Sequence, residues 1–118
     1  MATTAHETDL RYPVGRFDWD AAISDADYPL LIATIAETPG ALRSAVAGMS
    51  RDQLETRYRP GGWTVKQVVH HVPDSHLNAY CRFKLALTED EPTIKPYNEA
   101  AWAELVDSRR VPIEVSLE

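Results

Sequence analysis

Arg57-Tyr58-Arg59-Pro60-Gly61-Gly62-Trp63-Thr64-Val65-Lys66-Gln67-Val68-Val69-His70-His71-Val72 decides how this chain folds, because it contains a helix start that can be placed to the residue. The Pro-Gly-Gly turn stops whatever precedes it. Thr64 and Gln67 then have the spacing of a capping box, hydroxyl to the N3 amide and side-chain amide back to the cap, and Trp63 and Val68 stand where a hydrophobic staple places its two apolar partners. A start fixed in this way sets the direction of every later side chain. Two histidines follow within two turns, and they point in different directions.

At about 100° per residue, Val65, Val68, Val69, Val72, His76, Ala79, Tyr80, Phe83 and Leu87 fall in one stripe. This is the expected core face, with His76 as a hydrogen-bonded core residue inside it. His70 lies nearly opposite, on the expected solvent side with Cys81. His71 lies at the border of the stripe, in line with Ser75, Asn78 and Arg82. Polar groups beside a core find partners or line a cavity, so this row reads as the edge of a site. The helix pattern alone leaves His71 open between a boundary histidine and a ligand, and Arg82 between a site group and a partner for Glu89 or Asp90. Cys81 has no basic neighbour in phase and reads as an inert thiol. No two histidines stand at i and i+4, so the helix cannot chelate a metal by itself in the His-x-x-x-His manner.

Outward from this helix the chain reads as all-α, with no strand-like alternation, repeat or low-complexity tract. Residues 1–10 are polar and small and read as a mobile tail. Residues 11–118 form one domain, starting with an extended segment over Arg11–Phe17 laid against it. Ser24, with Asp25 and Asp27 in a first turn, starts a helix carrying Leu31, Ile32, Ile35, Leu42, Ala45, Val46 and Met49. Pro39-Gly40 predicts a kink or a split there, and Gly48 an end. Ser50 and Gln53 make a second capping box. The long helix runs from Thr64 to about Leu87 or Thr88, and Pro73 within it predicts a bend beside His71. Asn98 caps a short helix holding Trp102 and Leu105, and Pro112 stands at N1 of one more.

The totals exclude several classes. A formal net charge of −6 over 118 residues argues against a phosphate-backbone binder, which needs a basic stripe. The single cysteine rules out an intramolecular disulfide. No stretch reaches the length of a membrane span and no secretory leader is visible, so the chain reads as soluble and cytoplasmic. Gly-rich phosphate loops, Cys-x-x-Cys pairs and nucleophile elbows are absent.

Tyr12-Pro13-Val14-Gly15-Arg16-Phe17, Tyr58 through Val72, Asp74-Ser75-His76-Leu77-Asn78-Ala79-Tyr80, Arg82 through Glu89, Ile94-Lys95-Pro96-Tyr97 and Trp102-Ala103-Glu104-Leu105 together resemble the YfiT branch of the DinB-like superfamily. The resemblance covers nearly everything from Arg11 onward, with its motifs in order. It implies an up-down four-helix bundle, here only its N-terminal part of two long helices plus short ones, holding one divalent metal through three histidines. The family's first metal histidine lies eight residues after the helix-opening Trp, which is His71 here. The resemblance implies a metal-dependent hydrolase, or a transferase using a low-molecular-weight thiol of the bacillithiol type, with Zn or Ni activating water or thiolate as nucleophile. The substrate is a small molecule; Asn78 and Arg82 face substrate or an anion, and Ser75 supports the metal histidine.

Two departures stand out. Pro73 occupies a position where the family carries a small helix-friendly residue. The family's other two metal ligands, a His-x-x-x-His pair on a later helix, have no counterpart, since no histidine follows His76. Apolar faces left bare by missing helices imply self-association, with a homodimer setting two His71 helices against each other. The competing reading is a non-catalytic helical assembly or interaction module, which metal content separates from an enzyme.

Overall fold

The computed structural model describes residues 9–118. The tail expected over residues 1–10 lies outside the described residues, apart from Asp9 and Leu10. Six helices follow: α1 (Tyr28–Val46), α2 (Arg51–Leu54), α3 (Val65–Thr88), α4 (Glu99–Ala103), α5 (Val106–Arg110) and α6 (Glu114–Leu117). Two are long, as expected, and four are short, one more than the sequence suggests. Among the described residues the sole strand-like pairing is one antiparallel bridge, Arg57 to Thr64, across the Pro-Gly-Gly turn.

Helix α1 begins four residues later than Ser24. The Ser24 amide and hydroxyl both donate to the Asp27 carboxylate at 2.8 Å, and these bonds hold that carboxyl below its ordinary range. The acidic residues therefore build a turn ahead of the helix, and Pro29, free of an N–H to satisfy, occupies its first turn. Pro39 does not split the helix, which runs unbroken to Val46. The carbonyl that Pro39 leaves without an intrahelical partner belongs to Ile35, an exposed residue. Gly48, at φ +72°, turns the chain out of α1.

Both capping boxes form. Ser50 and Gln53 exchange bonds of 2.7 and 3.2 Å, and Thr64 and Gln67 bonds of 3.0 and 3.1 Å. The intervening turn needs both its glycines. Gly61 sits at φ +71°, and a Cβ on Gly62 would stand 2.6 Å from Arg59 Cγ. Arg57 bonds the Gly62 carbonyl, and Lys66 closes the turn from the helix side with an ion pair to Glu55 at 3.1 Å. The Arg11–Phe17 segment folds as tight turns rather than extended chain, through Tyr12 N–H to Asp9 and Gly15 N–H to Tyr12. Leu10, Arg11 and Pro13 flank a cavity shared with Trp63, Val65 and Val68 at the start of α3.

Helix α3 passes through Pro73 without interruption. Asn98 caps α4 through Oδ1, which accepts from Ala101 N–H at 3.0 Å. Helix α5 is not foreseen by the sequence, and Pro112 stands outside α6 rather than at its N1 position, with Ile113 as the cap residue.

The core is small. Val46, Val69 and Ile113 are buried together, with Leu42, Leu54, Val65 and Leu117 packed around them. The C-terminal half of α1, the first turns of α3 and α6 thus meet at one end of the molecule, and α4 and α5 lie along the same side of α3. The expected core stripe is only partly covered. Its N-terminal members pack, but His76, Ala79, Tyr80, Phe83 and Leu87 are all exposed, Leu87 at 81%. The total exposed surface, 9911 Å², compares with about 6,400 Å² for a closed domain of this mass. The bundle is open along one face.

Candidate functional site

The two adjacent histidines reverse half of the helical-phase expectation. His70, expected on the solvent side, is 6% exposed. Its Nε2 lies 2.8 Å from the Val111 carbonyl and its Nδ1 2.6 Å from Ser116 Oγ. A carbonyl only accepts, so Nε2 carries the proton and the Ser116 hydroxyl donates to Nδ1. Both ring nitrogens are consumed in tying α3 to the C-terminal segment. The apolar stripe is not the covered face. The short helices pack instead on the flank that carries Gln67 and His70, where polar side chains meet their free backbone groups. Gln67 Nε2 likewise donates to the Ala103 carbonyl at 2.8 Å, and Ser108 Oγ donates to the Trp102 carbonyl at 3.2 Å.

His71 is half-buried at the border, as the phase argument places it. Its ring is held between aromatic neighbours, Trp63 at 4.9 Å between centroids and Tyr97 at 6.5 Å with the planes only 21° apart. Trp102 continues the row at 4.7 Å from Tyr97. Among the described residues neither nitrogen of His71 has a hydrogen-bond partner. Its imidazole is therefore oriented by packing rather than by hydrogen bonds to the described residues.

The polar row extends along the same edge. Ser75, Asn78 and Arg82 are each half-buried. Asn78 turns its amide back to the Asp74 carbonyl at 2.8 Å, which occupies one of its donors. Arg82 makes no ion pair with Glu89, Asp90 or any other described carboxylate. Two members of this edge went unseen in the sequence. Burial raises the Asp74 carboxyl above its usual range; Asp107 adds to this, and His71 and His70 oppose it. Burial likewise raises the Tyr97 phenol, helped by Glu99, while a hydrogen bond with Ser75 and the charge of Arg82 pull it down. Tyr97 reaches the edge from the loop before α4, a tertiary contact that periodicity within α3 has no means of signalling. His76, by contrast, belongs to a different place. It lines an open groove of about 610 Å³ with Pro73, Leu77 and Tyr80 of α3, Leu42 of α1 and Leu117 of α6.

Among the described residues no three His, Cys, Asp or Glu side chains converge on a common point. His71 is thus a single imidazole donor, and the described residues do not by themselves complete a metal site.

A helical domain with this edge has known counterparts. The model of the DinB superfamily matches residues 34–116, and the chain belongs to that superfamily. Proteins named "Putative metal-dependent hydrolase" from Bacillus cereus (strain 03BB102) and Bacillus anthracis (strain A0248) are each 54% identical over 109 residues, covering 92% of this chain and 62% of the relative. A solved structure, YfiT from Bacillus subtilis, superposes with a TM-score of 0.87 at 48% identity, covering 93% of this chain and 63% of that one. That protein is described as a probable metal-dependent hydrolase with an unusual four-helix bundle topology. The chain therefore spans about three fifths of the length of the relatives it matches. No helix among the described residues is long and apolar enough to cross a membrane.

Proposed function

We propose that this chain carries the His71 edge of a metal-dependent hydrolase acting on a small molecule. The observation that supports this is the contrast between two neighbouring imidazoles. His70 has both nitrogens engaged in structure, while His71 is clamped by Trp63 and Tyr97 with neither nitrogen hydrogen-bonded among the described residues. An oriented, unpartnered imidazole beside Ser75, Asn78 and Arg82 suits a divalent ion of the imidazole-preferring kind, Zn or Ni. The remaining donors come from outside the described residues, either from a second copy or from segments that the longer relatives possess. Ser75 lies on the same edge and supports the metal histidine, and Asn78 and Arg82 face substrate. Water is the nucleophile in the hydrolase, and a low-molecular-weight thiol takes its place if the chemistry is transfer.

Two copies pair through the bare faces of α1 and α3. Each copy supplies two long helices, so a pair supplies the four of a four-helix bundle. Leu31, Ile35, Tyr80 and Phe83, each at least 43% exposed, leave apolar surface whose burial returns about 25 cal/mol per Å². Sedimentation at micromolar concentration tests the pairing, and metal analysis of the same sample tests the site. Metal retained by the wild type and by His70→Ala, but lost from His71→Ala, supports the enzyme. No metal in a folded wild type favours the second reading, a non-catalytic assembly module, which the lack of a converging ligand cluster also suits.

A further inference from the structure

Most described arginines have an evident partner: Arg11 pairs with Asp9, Arg109 with Glu104, and Arg43 donates to the Leu117 carbonyl. Arg82 is different. It is half-buried on α3, yet among the described residues no carboxylate or carbonyl meets its guanidinium. Its N–H donors are therefore open to a ligand. Its side chain lines a cavity of about 360 Å³ whose other walls are apolar, Ala79, Phe83 and Ala86 from α3 and Pro92 and Ile94 from the following loop.

We propose that Arg82 and this cavity form a subsite for an organic carboxylate with a short apolar tail. The carboxylate takes the guanidinium, and the tail lies between α3 and the Pro92–Ile94 loop. A single cation balances a single negative charge, which suits a carboxylate better than a phosphate dianion. The cavity volume is in the range of small-molecule pockets, and apolar walls with a few convergent polar groups are their usual make-up. Because Arg82 side chains on a helix lean toward the preceding turn, the carboxylate sits on the His71 side of the tail. This assignment rests on reading the His71 edge as the substrate side, and it gives that substrate a charge and a shape.

The test is a titration of the isotope-labelled full chain with hexanoate, 1-hexanol and acetate, followed by backbone amide NMR in the presence of a chelator. Hexanoate should bind at least about tenfold more tightly than either control, with shifts concentrated over residues 79–86 and 92–94. Arg82→Gln should reduce hexanoate to the level of hexanol, and Arg82→Lys, which keeps the charge, should retain part of the preference. Equal binding of hexanol and hexanoate overturns the proposal, as does hexanoate binding that Arg82→Gln leaves unchanged, or no binding at all. Since the metal is chelated throughout, failure of the metal reading at His71 and failure of this subsite are read separately.

Discussion

The two flanks of α3 make the most instructive contrast in the molecule. One flank carries Gln67, Val69 and His70, and it is covered by α4, α5, α6 and the end of α1. The other carries Val72, His76, Tyr80, Phe83 and Leu87, and most of it meets solvent. The more apolar flank is the barer one. Apolar content marks a surface that seeks cover, but it does not say which elements supply that cover. Here the C-terminal helices are too short to satisfy their own backbones. They dock where Gln67 and His70 offer hydrogen bonds to the carbonyls of Ala103 and Val111. The open flank is left for something larger.

The largest expected effect lies on the covered flank. His70→Ala removes two hydrogen bonds, strands the Val111 carbonyl and leaves a cavity, and should cost about 3 kcal/mol in denaturant unfolding. His71→Ala should cost less than about 1 kcal/mol, since its ring is only half-buried and makes no hydrogen bond among the described residues. An equal loss for both would erase the distinction between the flanks. Gln67→Ala comes next, at about 2 kcal/mol, because one side chain closes the capping box and holds the Ala103 carbonyl. If hydrogen exchange in α4 does not quicken in that variant, the Gln67 contact does not anchor the C-terminal segment.

Phe83→Ser, on the open flank, should change the stability of the single chain by less than about 0.5 kcal/mol while weakening self-association measured by sedimentation. A marked loss of stability at concentrations where the chain is monomeric would show that the open flank is packed within one copy. The smallest effect concerns Asp27, whose carboxyl is held below its ordinary 3.8 by the Ser24 amide and hydroxyl. A lowered folded value contributes stability that is present above pH about 4 and is lost as pH falls through the folded value. Loosening of the start of α1 in acid should therefore begin below that pH, and Asp27→Asn should remove the pH dependence of the amide protection factors, intrinsic exchange rates divided by observed ones, over residues 24–28.

Much of this was legible in the sequence. Both capping boxes, the bounds of α3, the Asn98 cap and the half-buried row His71, Ser75, Asn78 and Arg82 follow from local chemistry, in which one side chain serves a backbone group a few residues away. What escaped the sequence depends on distant partners. The burial of His70 requires Val111 and Ser116, more than forty residues on, and the clamp on His71 requires Tyr97. Pro39 and Pro73 each leave one hydrogen bond unmade within an unbroken helix, so the split that Pro39-Gly40 allows does not occur. Acidic residues near Ser24 were read as a first helical turn when Pro29 delays the helix and turns them into its lead-in.

The claim that matters most is that His70 holds the fold while His71 holds the ligand. Ring nitrogen NMR of the four histidines during titration with Ni(II), with Zn(II) as the diamagnetic control, reads this directly and registers weak binding as well as strong. The account predicts that the His71 ring resonances broaden with Ni(II) and shift with Zn(II), while His70 keeps one protonated Nε2 and one hydrogen-bonded Nδ1 throughout. Broadening centred on His70, or no selective response at His71, would contradict it.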